Sequence, residues 1–157
     1  MKIFSIISKS IENYENDKLV FFKSNTLQNN KKKFVDLKYE KNTNNFLIYG
    51  SSYKGTASLD NVIGNWWNHK ILQSDSQISP LSGSIKEQVI TFIGKEKINL
   101  YEKEYFTHRF KLKSKDLSLP EEKKLDFDIW FEPKKNLILK VGYNRMGYWE
   151  YKLKNLK

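Results

Sequence analysis

The sequence contains no cysteine, which excludes disulfide bonds and metal sites built on thiolates. Histidine occurs only at His69 and His108, and no residue nearby supplies the carboxylate that a two-histidine zinc site needs. Glycine-rich phosphate loops, nucleophile elbows and metal-binding helix motifs are missing as well. We therefore predict no cofactor and no metal, and we expect a protein that is not an enzyme.

Long apolar runs are also lacking. The stretch "IFSII" at 3–7 is shorter than the apolar region of a signal peptide, and no small-residue cleavage site follows it. No run approaches the roughly 20 residues that span a bilayer as a helix. We expect no membrane span, and no targeting signal in these residues identifies a compartment.

Arginine is scarce although the chain is basic. The net charge is +10, yet the only arginines are Arg109 and Arg145. The lysines are dispersed over turns and alternating strand positions with acids beside them, as in "KEKINLYEKE" at 95–104. Because the arginine fork is what reads bases and clamps phosphates, we expect a solvated lysine surface and no nucleic-acid partner.

What the chain does have is alternation of apolar and polar residues, which is the period of antiparallel strands. Its C-terminal third predicts a three-stranded meander in which Phe131 lies opposite Leu137, and Phe127 therefore opposite Val141. The same pattern recurs in the stretches 17–26, 33–40, 45–52, 88–93, 97–101, 105–113, 125–131, 137–143 and 148–153. The sequence predicts a mainly β protein with a single curved antiparallel sheet, a half-barrel or open barrel of about nine strands, in one domain over residues 1–157.

The stretch around residues 58–68 departs from this pattern. Leu59, Val62, Ile63 and Trp66 recur at helical spacing, and Ser58 is a candidate N-cap. Gly64 weakens a long helix. We predict one short helix or an irregular plug near 58–68.

Several of these stretches together resemble a known family. They are "NWWNHKILQSDSQISPLSGSIKEQVITFIGKE", "YFTHRFKL", "LDFDIWFEPKKNLILKV" and "WEYKL". They resemble a bacterial family of domains of unknown function that is similar to the curved half-barrels of the lipoprotein-carrier (Lol) type. The resemblance implies a concave apolar face that holds an apolar ligand. It also implies a protein of the periplasm or cell envelope. Against that pattern this chain looks shortened at its N-terminus.

Tryptophans supply the main candidates for ligand contact. If 58–67 is helical, Trp66 continues the apolar stripe into the core, and Trp67 is turned by about 100° toward the rim. The polar neighbours of Trp67 are Asn68 and His69. The predicted ligand-binding residues are Trp67, Asn68, His69, Trp130, Tyr143 and Trp149.

Asp126 and Asp128 form the pair that most resembles a catalytic site. They alternate on one strand and so stand about 7 Å apart, within the range used by paired-carboxylate hydrolases. Any two alternate strand residues have that spacing, however, and the predicted register gives Asp128 a partner in Lys140. His108 falls between two phenylalanines on an apolar face, which favours a core or rim residue over a base.

The leading functional hypothesis is a non-enzymatic binding or carrier protein of the cell envelope. It would hold an apolar or amphipathic ligand, such as a hydrophobic small molecule or a lipid, in a concave aromatic-lined face. One alternative is an interaction module or homo-oligomer that pairs through an open sheet edge. The other is a hydrolase-like enzyme that uses Asp126 and Asp128.

Overall fold

The structure, a computed structural model, describes residues 5–144 and 147–154. These residues form twelve β-strands and two short 3₁₀-helices, and they contain no α-helix. The predicted class, mainly β with a curved antiparallel sheet, is confirmed, with twelve strands in place of about nine and more than one sheet.

The described residues divide into two compact units. Unit 1 comprises the described residues up to Gly64 together with Ser76–Lys86. Unit 2 comprises Asn65–Asp75 together with the described residues from Glu87 onward. The single domain over 1–157 stays a prediction.

Unit 1 is built on a five-stranded antiparallel sheet whose strands follow chain order. Asparagine and aspartate at positive φ make the two-residue turns after its first two strands, since these residues tolerate the left-handed conformation. Its strands are β1 (Ile6–Glu15), β2 (Lys18–Gln28), β3 (Lys31–Glu40), β4 (Asn45–Gly50) and β5 (Lys54–Ala57), and a parallel pair follows, β6 (Val62–Ile63) with β7 (Ser76–Ile78).

The core of unit 1 lies on one side of this sheet. Phe22, Val35 and Leu37 from adjacent strands are fully buried there, and Ile63 and Ile78 of the parallel pair pack on the same cluster. Because side chains alternate along a strand, the residues between them point to the opposite side of the sheet.

A backbone contact holds the loop after β7 against the five-stranded sheet of unit 1. A Cβ at Gly50 would collide with the carbonyl oxygen of Ser82, so only glycine allows this approach. Gly83 has a φ of +80° and lies against Ile48 and Val35. The hydroxyl of Ser24 donates to the carbonyl of Pro80 at 2.5 Å, which ties the same loop to β2.

Unit 2 is an antiparallel meander in chain order. Its first strand carries a bulge at Phe92–Gly94, so the two strands predicted at 88–93 and 97–101 are one continuous strand. Its strands are β8 (Ile85–Leu100), whose first residues belong to unit 1, β9 (Lys103–Ser114), β10 (Asp126–Glu132), β11 (Leu137–Asn144) and β12 (Tyr148–Lys152).

The predicted register between β10 and β11 is wrong by two residues. Phe127 pairs with Tyr143, and Ile129 pairs with Val141. The bulge at Trp130–Phe131, which a pattern of alternation cannot locate, reduces this offset to one residue, so Phe131 pairs with Ile138 and the predicted pair of Phe131 with Leu137 is wrong. The offset of two keeps Phe127, Ile129, Val141 and Tyr143 on one face. Beyond the bulge, Leu137 and Leu139 pack with Trp130 on the opposite face, so the predicted common face is wrong for these two residues. The predicted pairs of Tyr143 with Trp149 and of Val141 with Tyr151 are confirmed.

The stretch 58–68 adopts the irregular alternative and not the short helix. The hydroxyl of Ser58 accepts from the backbone N–H of Asp60 at 3.2 Å, which makes a turn and no helix cap. Ile63 then pairs in parallel with Ile78, a partner distant in sequence that the local spacing does not reveal. A 3₁₀-helix, His69–Gln73, comes only afterwards.

Candidate functional site

One face of the unit 2 sheet carries a row of aromatic rings, which we call the aromatic face. Register brings these rings side by side across neighbouring strands. Phe127 stacks on Tyr143 with ring centroids 4.5 Å apart, and Phe110 lies 6.5 Å from Phe131 and 5.5 Å from Phe92. The members of the aromatic face are Phe92, His108, Phe110, Phe127, Phe131 and Tyr143.

The segment that leads into the 3₁₀-helix, together with the first residue of that helix, lies against part of this face. The ring of Trp66 meets Phe127 edge-on at 4.7 Å, and His69 stacks on Phe131 at 6.0 Å. The side chain of Asn68 accepts from the backbone N–H of Lys70 and so caps the 3₁₀-helix. Trp67 is 67% exposed, whereas Trp66 is half-buried.

An apolar cavity lies between Trp67 and the last two strands of unit 2. Its volume is about 190 Å³. This is below the roughly 300–1,000 Å³ of sites that enclose a whole small molecule. Its size suits one ring or the end of a chain. The principal lining residues are Trp66, Trp67, Leu137, Val141, Tyr151 and Leu153.

The opposite face of the same sheet carries an ion network around Asp128. The side chain of Asp128 is only 9% exposed and lies 3.1 Å from the Arg109 guanidinium and 3.4 Å from Lys111 Nζ. Lys111 also reaches Asp126 at 2.6 Å, so the two acids share one lysine. The predicted pair of Asp128 with Lys140 is wrong, because the observed register sets Asp128 opposite Gly142.

The carboxylates of Asp126 and Asp128 are therefore both paired with basic side chains of the adjacent strand β9. The hydrogen bond that Arg109 donates to Asp128 raises the pKa of Arg109, and nearby acidic charges act in the same direction. Burial lowers the pKa of Lys111, but the hydrogen bonds and charges of Asp126 and Asp128 outweigh it, so this pKa also lies above its ordinary value. This is the geometry of a network that joins strands. The hydrolase alternative stays a prediction that no observation here favours.

Trp130 lies on the ion-network side and is only 4% exposed. It packs with Ile98, Leu100 and Leu139. The ammonium of Lys140 lies 4.0 Å from the centroid of its ring. The indole Nε1–H of Trp130 is buried and finds no acceptor among the described residues.

The structure brings some predicted ligand residues together and separates others. Tyr143 and Trp149 are cross-strand partners on β11 and β12, and His69 reaches the aromatic face through Phe131. Trp67 lines the cavity against the same two strands, but Tyr143 and Trp149 are not among its lining residues. Trp130 points to the other face of the sheet, and Asn68 is engaged in capping.

Sequence reasoning missed Tyr151 as a cavity residue and Phe92 and Phe110 as part of the ring row. Their alternation was visible in the sequence. Their neighbours across the sheet depend on the bulge at Phe92–Gly94 and on strand order.

Two further observations concern the described residues. No group of three or more His, Asp or Glu side chains in that part of the chain is arranged to hold a metal ion. No helix in residues 5–144 and 147–154 is long and apolar enough to cross a membrane.

Comparison with known proteins gives one match. A family model described as a domain of unknown function (DUF6134) matches residues 1–154. No curated protein and no solved structure matches the chain. The finer likeness to Lol-type carriers and the shortening at the N-terminus stay predictions.

Proposed function

Since the chain belongs to the family described as a domain of unknown function (DUF6134), a description that names no activity, we propose from the geometry of unit 2 that it is a non-enzymatic binding module for an apolar or amphipathic ligand. The observation that carries the proposal is the cavity beside Trp67, which Trp66 connects to the aromatic face through its contact with Phe127. Rings supply apolar area with little loss of side-chain entropy, which is why they recur at binding surfaces.

The charges around the cavity favour an uncharged group in it. Lys140 and Lys152 line it, and both pair with Glu150, at 3.8 Å and 3.5 Å. With one carboxylate serving both lysines, this rim attracts an anion only weakly. The cavity then takes the tail of an amphipathic molecule and leaves the head group in water.

A carrier role in the cell envelope belongs to the same proposal. Its support is the resemblance of the strand and turn patterns to Lol-type half-barrels. Native mass spectrometry and lipid extraction of the purified protein test it directly, because a carrier retains part of its cargo. Finding no co-purifying apolar molecule counts against the carrier role while leaving the binding site open to the next test.

The binding site itself is tested by calorimetric titration with octan-1-ol, an uncharged eight-carbon tail. We expect binding to the wild type and a loss of about tenfold in affinity for Trp67→Ala, because the exposed ring forms one wall of the cavity. Tyr101→Ala is the matched control, since Tyr101 is a similarly exposed ring in the turn between β8 and β9 and does not line the cavity. An equal loss in both variants, or a loss only in the control, contradicts the proposal.

A second candidate function, self-association through a sheet edge, is favoured by β1. Among the described strands β1 pairs only with β2, and it is ten residues long. Ile6, Ile7 and Ile11 are exposed on it, and it contains no proline. Natural edge strands are commonly short, proline-bearing or heavily charged, which prevents pairing with other chains. The partner that fits this edge is a second copy of the chain.

Light scattering after size exclusion tests the second candidate. We expect a dimer for the wild type and a monomer for Ile7→Lys combined with Ile11→Lys, because lysines on an edge oppose strand addition. Val89→Lys, a change at an exposed apolar residue of unit 2, should leave the dimer intact. A wild type that stays monomeric at high concentration removes this candidate.

A further inference from the structure

The outer face of the unit 1 sheet, opposite its core, combines apolar side chains with lysines. Strand pairing shows this directly, because residues directly opposite each other point to the same side. Lys38 lies opposite both Phe21 and Leu47, and Lys32 lies opposite Leu27. The apolar members of this outer face are Ile7, Ile11, Phe21, Leu27, Phe34, Leu47 and Tyr49, and the lysines are Lys9, Lys23, Lys32, Lys38 and Lys54.

A groove of about 460 Å³ lies on this outer face. This volume falls within the range of small-molecule sites, roughly 300–1,000 Å³, and it exceeds that of the cavity beside Trp67. Phe21, Leu47 and Tyr49 are among the residues that line it, with Lys38 and Lys54 beside them. The groove therefore offers an apolar floor and a cationic rim.

The cationic rim is not balanced by acids. Asp36 is the one acid that lines the groove, and it lies 3.9 Å from Lys23. Glu15 and Glu40 lie at strand ends, where Glu15 is paired opposite Lys18. The ammonium of Lys54 lies over the ring of Tyr49, 5.0 Å from its centroid. Within the described chain, no carboxylate lies within ion-pair distance of Lys38 or Lys54.

We propose that this groove binds a single anionic amphiphile, with the acyl chain on the apolar floor and a phosphate or carboxylate head group between Lys38 and Lys54. Leu47 lines the floor of the groove, and Ile7, Ile11 and Leu27 continue the same outer face beyond it. This aliphatic surface favours an acyl chain over nucleic-acid bases, which stack on rings. Lysine is sufficient for a head group that is held as a point charge. The site is separate from the unit 2 cavity and does not depend on the function proposed for it.

Calorimetric titration with decyl phosphate and with decyltrimethylammonium tests the proposal, since the two probes share a chain and differ in the sign of the head group. Below their micelle concentrations, we expect decyl phosphate to bind and the cation not to bind. Lys38→Gln combined with Lys54→Gln should weaken decyl phosphate binding by about tenfold or more. Binding should also weaken with added salt.

The matched control is Lys95→Gln combined with Lys134→Gln, which removes the same charge from exposed positions of unit 2. It should leave decyl phosphate binding within about twofold of the wild type, and Trp67→Ala should not change it. Equal binding of both probes, or an equal loss in the control, overturns the proposal.

Two further outcomes also overturn it. One is a short single-stranded RNA that binds more tightly than decyl phosphate and loses affinity in the same Lys38 and Lys54 variant. The other is binding to phosphatidylglycerol vesicles without binding of monomeric decyl phosphate. The first would make the outer face a nucleic-acid platform, and the second would make it a bilayer contact.

Discussion

At the scale of single residues, the hairpin turns differ in how well their side chains suit the backbone. Three two-residue turns have both residues at positive φ: Asn16 and Asp17, Asn29 and Asn30, and Tyr101 and Glu102. Asparagine and aspartate adopt this conformation at little cost, whereas other residues with a Cβ are strained in it. The turn between β8 and β9 is therefore the strained one, with φ of 50° and 66°.

Replacing this turn with Tyr101→Asn and Glu102→Gly should raise the free energy of unfolding by about 1 kcal/mol. Both side chains are exposed, so their removal costs little packing. Urea unfolding followed by circular dichroism measures the change. The reciprocal pair, Asn16→Tyr with Asp17→Glu, should lower stability by a similar amount. Unchanged stability in both pairs contradicts the interpretation of the turns.

At the scale of strands, the ion network is what joins β9 to β10 on the side away from the aromatic face. Asp128 is nearly buried and has two cations on the adjacent strand, and Lys111 bridges two acids on one strand. A buried charge that loses its partner is costly, because its desolvation is no longer offset. These strands therefore depend on the whole network.

Asp128→Asn should lower the free energy of unfolding by about 1–3 kcal/mol. The expected loss is below that of a fully buried pair because Arg109 and Lys111 are partly exposed. Asp116→Asn is the control, since Asp116 lies in an exposed loop and bonds only to Ser118 in that loop. It should change stability by no more than about 0.5 kcal/mol. If the two substitutions lower the free energy of unfolding equally, the ion pairs of Asp128 do not stabilise the fold more than the exposed contact of Asp116.

Lys111 also gives the strands a dependence on alkaline pH. Its pKa in the folded protein is raised above its ordinary value of 10.5. Its stabilising contribution is therefore fully present below about pH 10.5 and is lost as pH rises through the folded value. The difference in unfolding free energy between wild type and Lys111→Met should stay constant around neutral pH and shrink above about pH 10.5. A difference that grows with pH would have the wrong sign for this cause.

Some strands and strand pairings could be predicted from the sequence, and others could not. Period-two alternation identified β2–β4 and β9–β11, in which one face is more buried than the other. It also identified β12, where the residue types alternate although all five residues are exposed. It missed β1, whose residues are mostly exposed on both sides and so show no contrast. It missed the parallel partner of Ile63, and it misplaced the β10–β11 register at a bulge. These features depend on contacts between distant residues.

At the scale of the molecule, charges and rings that are scattered in the sequence meet on shared faces. Lys38 and Lys54 lie on different strands, yet both border one groove. The spacing of the lysines along the chain predicted a dispersed lysine surface, and only the strand registers reveal a face where lysines outnumber acids. Likewise, the sequence predicted which types of residue the candidate sites contain, but not which of these residues lie next to one another in the fold.

The chain path through the two units yields a further prediction. Ile71 and Ile78 are both fully buried and seven positions apart, yet Ile71 belongs to unit 2 and Ile78 to unit 1. Each substitution by alanine should cost about 2–5 kcal/mol. We expect Ile78→Ala to speed amide hydrogen exchange mainly in β2–β4, and Ile71→Ala to speed it mainly in unit 2. Uniform acceleration over the whole chain in both variants would show a single cooperative unit.

The contact between Trp66 and Phe127 has a consequence for biosynthesis. A ribosome adds roughly 5–20 residues per second, so Trp66 emerges several seconds before its ring partner is translated. During that interval the ring of Trp66 has no Phe127 to pack on, and the ring of Trp67 is exposed even in the folded protein. The nascent chain then exposes a short apolar segment of the kind that chaperones bind.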